Sequence, residues 1–357
     1  MGSLALPALP MWLAAAALLA LLAVRGAVPR GRRRRVRVAV VARALLPRRV
    51  LRSASGRLDI AAFLFSALLA GSMLGWALVS ANWWGDQATA LLGHGPVLAR
   101  LPGWAAIPLV TVALFVAYEA AYWLNHWLSH RVPALWAFHK VHHSAESLSL
   151  LTNFRVHPVD TIVFYNMAAA LMGVTGALCA RLIGPSAQAV VGGSNAIVFA
   201  ATIVLTYLQH SHIWIAWPGA LGRLLMSPAH HQLHHSADPR HHGRNFGSTL
   251  ALFDRLAGTL LIPTLKREKL SFGVEDAGTA PHGFRDAVLR PFVEAAGTLA
   301  PPTPARENRA PARRRGADPI RRSFRPRPCR SRRSPAPAPR RTPRRSSGSA
   351  DPPAAHG

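Results

Sequence analysis

The chain has 357 residues, half of them hydrophobic by count and only 16% charged, yet its formal charge is +27. That length allows one to three folded units. Two cysteines, Cys179 and Cys329, neither in a CxxC pair, argue against a disulfide framework or a cysteine-ligated zinc site. In chain order, Leu4–Val24 is an apolar run with no basic residue before it and Arg25 and Arg32–Arg35 after it. A cleaved signal peptide starts positively, so a signal-anchor helix with its N-terminus outside is expected. Residues 30–52 then carry ten Arg and no acid, and residues 301–357 carry sixteen Arg against three acids. No folded nucleic-acid motif accompanies these blocks. They are therefore read as membrane topology signals, because Lys and Arg accumulate on the cytoplasmic side, and no specific nucleic acid is expected.

Between the blocks lie four further apolar stretches. Residues 59–81 and Ile107–Trp127 are long enough to cross ~30 Å of hydrocarbon. A polar loop around 82–103 separates them. Thr161–Ile183 and Ala187–Leu208 form a pair joined by Gly184, Pro185 and Ser186, either crossing fully or re-entering. The expected fold is all-α, a polytopic helical membrane protein. Placing the first arginine block in the cytoplasm puts 82–103 outside, and 128–158 and 209–357 inside, by alternation. Both arginine blocks and all histidine clusters then share one side. The expected organisation is residues 1–56 as anchor helix and Arg-rich loop, 57–265 as membrane-embedded domain, 266–300 as extension and 301–357 as tail. That tail is rich in Pro and Arg without apolar periodicity, a composition that predicts disorder.

The histidines carry the chemistry. His126 and His130 are four apart; His139, His142 and His143 form HxxHH; His231, His234 and His235 repeat it. On a helix, positions i, i+3 and i+4 share a face, so each cluster can aim its rings at one point. Ionisable groups gathered at a membrane boundary point to function. His230, His241 and His242 break the spacing and read as flanking residues, while His94, His282 and His356 stand apart. Eight clustered imidazoles exceed the needs of one metal. No HExxH, HxxEH or Glu-x-x-His pair is present, so what remains is a dinuclear, imidazole-rich site for iron, zinc or copper.

Over residues 119–259 the pattern resembles the membrane-bound fatty acid hydroxylase/sterol desaturase superfamily. The resemblance runs through Glu119, Tyr122-Trp123, His126 and His130, then His139, His142 and His143. It continues with Arg155, His157 and Pro158, then His210, then His231, His234 and His235. Asn245-Phe246-Gly247 and Asp254-Arg255 complete it. Trp127, His212, Phe253 and Ala257 depart from the usual pattern; none replaces a ligand-type residue, but they blur the subfamily.

The resemblance implies metal ligands at His126, His130, His139, His142, His143, His210, His231, His234 and His235, with His157 added. Glu119, Asn245 and Asp254 would support the ligands from behind. It also implies two iron ions, with zinc possible as purified, and O2-dependent removal of hydrogen from an unactivated C–H bond. Rebound gives a hydroxylated lipid; loss of a second hydrogen gives an alkene. No GxGxxG or flavin fingerprint occurs, so electrons would come from a separate protein. A membrane zinc hydrolase would need a carboxylate base near the histidines, where only Glu146 and Asp238 occur. A metal transporter or sensor would place histidines and acids within the spans rather than at their ends.

Overall fold

The computed structural model describes residues 47–70, 78–98, 100–217, 219–274 and 282–299. The Leu4–Val24 run, the Arg32–Arg35 block, residues 71–77 of the 59–81 stretch and the 301–357 tail lie outside the described residues. Among these described residues, eleven α-helices follow in order. They are α1 (Arg48–Arg52), α2 (Ala54–Phe65), α3 (Ala81–Leu92), α4 (Gly103–Arg131), α5 (Pro133–His143) and α6 (Pro158–Ile183), then α7 (Ala196–Gln209), α8 (Gly219–Leu224), α9 (Pro228–His234), α10 (Leu252–Ala257) and α11 (Phe284–Leu299). The structure is mostly helical rather than all-α, since a two-stranded hairpin interrupts the helices.

Two helices set the frame. α4 has 29 residues and α6 has 26, each with a mean hydropathy of 1.7 over its most apolar window. At 1.5 Å per residue both exceed the ~30 Å of a bilayer core. Only 17% of the apolar window of α6 is buried. Tyr165, Val174, Leu178 and Leu182 along it are exposed, and most of its other residues are half-buried. The two run antiparallel. The Leu101 N–H, just before α4, donates to the Ile183 carbonyl at 3.1 Å, and at the other end Asn125 reaches Asp160.

The stretch 82–103, expected as a loop, begins instead with α3 packed along α6. The Val79 N–H donates to Asn166 and Arg181 donates to the Leu92 carbonyl, so the two helices run parallel. Asn82, Asp86 and Gln87 interrupt the apolar run in sequence, but all three are exposed while Ala88 is buried and Trp84 and Gly85 half-buried. The polar residues occupy one helical face, which a simple hydropathy count conceals. Contact is close: a Cβ at Gly173 would lie 2.3 Å from the Ala81 carbonyl oxygen.

The Ala187–Leu208 stretch is also not one helix. β1 (Val190–Val191) pairs antiparallel with β2 (Ser194–Asn195) around Gly192 and Gly193, both at positive φ. Two glycines between paired strands are the chemistry of a tight hairpin turn. Asn195 then caps α7 through its side chain, and α7 returns alongside α4 to the end where His126 lies. Ala189 and Asn195 both hydrogen-bond Thr111 in α4, which fixes the hairpin's depth.

Candidate metal centre

Three short devices aim the histidines. α4 ends with His126 and His130 on one face, and Val132 alone links it to α5, which starts at Pro133. Proline at the first helical position lacks only an N–H that would be orphaned anyway. α5 then presents His139, His142 and His143 in its last two turns. α9 is opened by a capping box between Ser227 and His230, again with proline first, and carries His231 and His234 with His235 as its C-cap. His230 therefore holds the helix start, which accounts for a histidine outside the spacing rule.

Nine of the ten expected ligands converge on two nests. One contains His126, His130, His139, His143 and His234; the other contains His142, His210, His231 and His235. Within each nest the ligand-capable atoms lie within 4.8 Å of one another. Each HxxHH motif is split between the nests, so both share α5 and α9 as walls.

The donor set fits a metal. In the second nest, Nε2 of His210 lies 3.0, 3.1 and 2.9 Å from Nε2 of His142, His235 and His231. A cation ~2.0–2.1 Å from each nitrogen with angles of about 90–100° would space its ligands by roughly that amount. The tautomers agree. Asn153 donates its amide to the Leu150 and Tyr207 carbonyls, so its oxygen accepts from His210 Nδ1, leaving Nε2 as a bare lone pair. His126, His139 and His234 likewise donate from Nδ1, to the Phe246 carbonyl, Asp160 and the Arg244 carbonyl. In the first nest Nε2 of His126, His130 and His139 is buried without a protein partner. Five or four inward lone pairs per nest are what a bound cation would satisfy.

His157 stands apart. Its Nδ1 accepts from the Val159 N–H as the cap of α6, and its Nε2 pairs with the Val288 carbonyl at 2.9 Å. Both ring nitrogens are occupied, so the tenth expected ligand is a cap. Glu119, Asn245 and Asp254 contact no ligand imidazole. Glu119 accepts from the Thr249 and Leu250 N–H groups. Asp254 accepts from the Phe246 and Gly247 N–H groups, and Gly247 is packed so closely that a Cβ there would clash with the Leu250 carbonyl oxygen. Asn245, at φ 58°, bonds the His230 and Leu261 carbonyls and the Leu261 N–H. Together they hold the turn whose Phe246 carbonyl orients His126. The direct orienters are residues the sequence did not single out. Asp160 reads there as an ordinary acid in a helix's first turn, and Asn153 as a loop residue.

Behind α5, Arg155 and Asp59 form a fully buried ion pair at 3.1 Å. Arg155 also donates to the Val141 carbonyl and to Ser144 and Ser55, which locks the segment carrying His142 and His143 onto α2. A lone acid inside an apolar stretch is the signal that could have found Asp59.

Burial pushes the imidazoles down. His142, His143, His231 and His235 lie well below the usual 6.5, from burial first and then mutual repulsion. His210 and His234 fall to about 3, again chiefly from burial. All six are neutral at physiological pH, the form that binds metal. Two cavities border the nests. One of about 560 Å³ meets His130, His143, His234 and His235 beside Trp136 and Arg131. The other, about 340 Å³, meets His126, His139, His142 and His210 and is walled by Tyr122, Phe154, Phe164 and Tyr165. Glu146 pairs with His282 and Asp238 with Arg240, and neither lines these cavities.

Residues 111–259 match the fatty acid hydroxylase family model. The chain is 30% identical over 166 residues to the alkylglycerol monooxygenase of Xenopus tropicalis, covering 45% of this chain and 32% of that protein. It is 26% identical over 183 residues to the ornithine lipid hydroxylase OlsE of Rhizobium tropici, covering 51% and 50%. With the human alkylglycerol monooxygenase the figures are 25% over 167 residues, 47% and 33%. In these matches the chain spans half or less of the relative's length. No solved structure matches it.

Proposed function

We infer, from a chain whose residues 111–259 belong to the fatty acid hydroxylase superfamily, that this protein hydroxylates a membrane lipid, using O2 and electrons from a separate redox protein. The observation that carries this reading is the pair of nests: nine inward imidazoles, divided five and four, with no carboxylate in either group. Two iron ions held there would supply O2 activation and C–H oxidation, and zinc is the expected passenger after overexpression.

The chain's own residues do the rest. Asp160, Asn153 and the Phe246 and Arg244 carbonyls hold four imidazoles in one tautomer, with Nε2 inward. The aromatic cavity beside α6 suits the apolar part of a lipid, since Tyr122, Phe154, Phe164 and Tyr165 wall it. A hydrolase is disfavoured, because Glu146 and Asp238 are engaged elsewhere. The names of the relatives favour hydroxylation over desaturation. Arg48, Arg49 and Arg52 precede α2, whose Ser55 and Asp59 bond Arg155 at the nest end of the fold. By the positive-inside rule the nests then face the cytoplasm.

The test is purified full-length protein loaded with ferrous iron and given a chemical reductant and host lipid extract. Two metals per chain and a product carrying an oxygen atom from O2 are expected. Lipid cleavage without O2, or one metal per well-folded chain, would revive the hydrolase. Lipidomics of the host with and without the gene then identifies the substrate.

A further inference from the structure

We propose that α11 lies in the plane of the membrane surface and seats the nest-bearing end of the protein in the headgroup layer of one leaflet. This rests on the reading that α6 crosses that membrane. The sequence of α11, FRDAVLRPFVEAAGTL, divides into three faces rather than two. Ala287, Pro291 and Ala295, four apart, are buried. Their small size lets α11 press on α5, with Ala295 against Ala137 and Phe138, and Ala287 against Val141 and Leu58. Asp286, Arg290 and Glu294 form a polar face, where Arg290 and Lys140 both pair with Glu294.

The third face is apolar. Leu289, Phe292, Val293, Ala296 and Leu299 follow i, i+3, i+4, i+7 and i+10 spacing, one continuous stripe. All are exposed, Val293 by 74% and Leu299 by 76%. Arg285 continues the stripe at its N-terminal end, where a long guanidinium stem can lie on apolar surface and reach a phosphate. An apolar stripe with a polar flank is the pattern of a helix lying in the interface.

Its position identifies the occupant as lipid. The Phe292 ring touches Phe138 and His157, and Val159 packs against the cluster of Ala295. α11 therefore sits against the first turn of α6, whose later residues Tyr165, Val174, Leu178 and Leu182 are exposed. A spanning helix leaves the hydrocarbon at its ends, so an element packed on its first turn lies at headgroup level. α5 lies one helix-packing distance away, ~8–10 Å, which brings its histidines close to the same layer.

Spin labels test this in the full chain with Cys179→Ser and Cys329→Ser, in nanodiscs of phosphatidylcholine and phosphatidylglycerol. One label each replaces Val293, Leu178 on α6, and Arg240, whose side chain is 80% exposed in the short 3-10 turn Pro239–His241. Power saturation by O2, which concentrates in hydrocarbon, is compared with saturation by a water-soluble nickel chelate. The O2-to-nickel accessibility ratio at residue 293 should exceed that at 240 several-fold and fall below that at 178. A ratio at 293 equal to that at 240 would place α11 in water and overturn the proposal. Protection of 293 from both reagents would overturn it too, since protein, such as a second copy or the Leu4–Val24 run, would then cover the stripe. An aqueous label at 178 would instead sink the membrane reading on which it rests.

Discussion

Asp160 determines how His139 presents its inward-facing Nε2. The carboxylate accepts a hydrogen bond from Nδ1–H at 2.7 Å, so Asp160→Ala frees the ring to rotate and lowers its basicity. A loss of ~10–100-fold in metal affinity is expected, the usual effect of removing such a support, measured by competition with a chelator. His157→Ala should instead cost about 1 kcal/mol of stability, the worth of a helix cap, and leave the metal count unchanged; loss of a metal would mean that His157 is a ligand. His142→Ala and His234→Ala open different nests and should each abolish oxidation. His241→Ala should leave most of it, since that ring faces Glu268 at 3.7 Å. Acid should weaken the metal-free fold. Unfolded histidine gains its proton near 6.5, whereas His210 and His234 resist until about 3. Between those values the unfolded chain binds more protons, so stability falls as pH falls, by up to ~1.4 kcal/mol per pH unit for each such group. Denaturation of metal-free protein at about pH 5 and about pH 7.5 checks this; equal stability would mean the rings titrate freely. Eight of the nine gathered imidazoles were legible from i, i+3, i+4 spacing, a local property, whereas His210 has no such partner in sequence and entered only through the family resemblance. What orients them was not legible, because Asn153 and Asp160 meet their histidines only through tertiary packing.

At the level of elements, the joint between α3 and α6 depends on the absence of a side chain. Gly173 sits where a Cβ would meet the Ala81 carbonyl oxygen, the Trp84 side chain and the Gly85 nitrogen within 2.9 Å. Gly173→Val must push the helices apart, and overpacking of this kind costs ~1–3 kcal/mol. Gly176 lies one turn further with nothing within 4 Å. Gly176→Ala should therefore be neutral or gain up to ~1 kcal/mol of helix propensity. Thermal unfolding of both variants in one detergent separates these outcomes; equal melting would show that the α3–α6 contact is loose. The same joint marks where sequence reading stopped. α4 and α6 were legible because each is a long uninterrupted apolar run. α3 was hidden because its polar residues share one face with solvent, and the hairpin at 190–195 because its valines extend the apolar run of α7. Gly192-Gly193 was the available signal, and hydropathy averaging erased it.

At the scale of the whole molecule, helix directions and charge constrain the topology together. Residues 93–101 meet the end of α6 through Val97, Leu98 and Leu101, which donate to the Arg181, Leu182 and Ile183 carbonyls. The nests occupy the other end of α4 and α6, with Arg48, Arg49 and Arg52 on that side. If the arginines mark the cytoplasm, a reporter inserted at Gly95 must lie outside, while reporters at residue 40 and at the C-terminus lie inside. Gly95 is exposed and at φ 78° in a non-helical turn, so an insertion there does not interrupt a helix. A cytoplasmic signal from Gly95 would invert the arrangement and place the nests outside, away from cytoplasmic electron donors. The tail enters the same argument. Residues 301–357 add sixteen arginines but only His356 as a metal-binding side chain beyond Cys329 and the three acids, and the nine histidines of both nests lie between residues 126 and 235. Truncation after residue 300 should therefore leave two metals per chain and oxidation of detergent-dispersed lipid intact. Its effect should fall on binding to anionic membranes, where each arginine near the surface contributes ~1 kcal/mol. A truncated chain that folds but loses its metals would place part of the tail inside the catalytic domain.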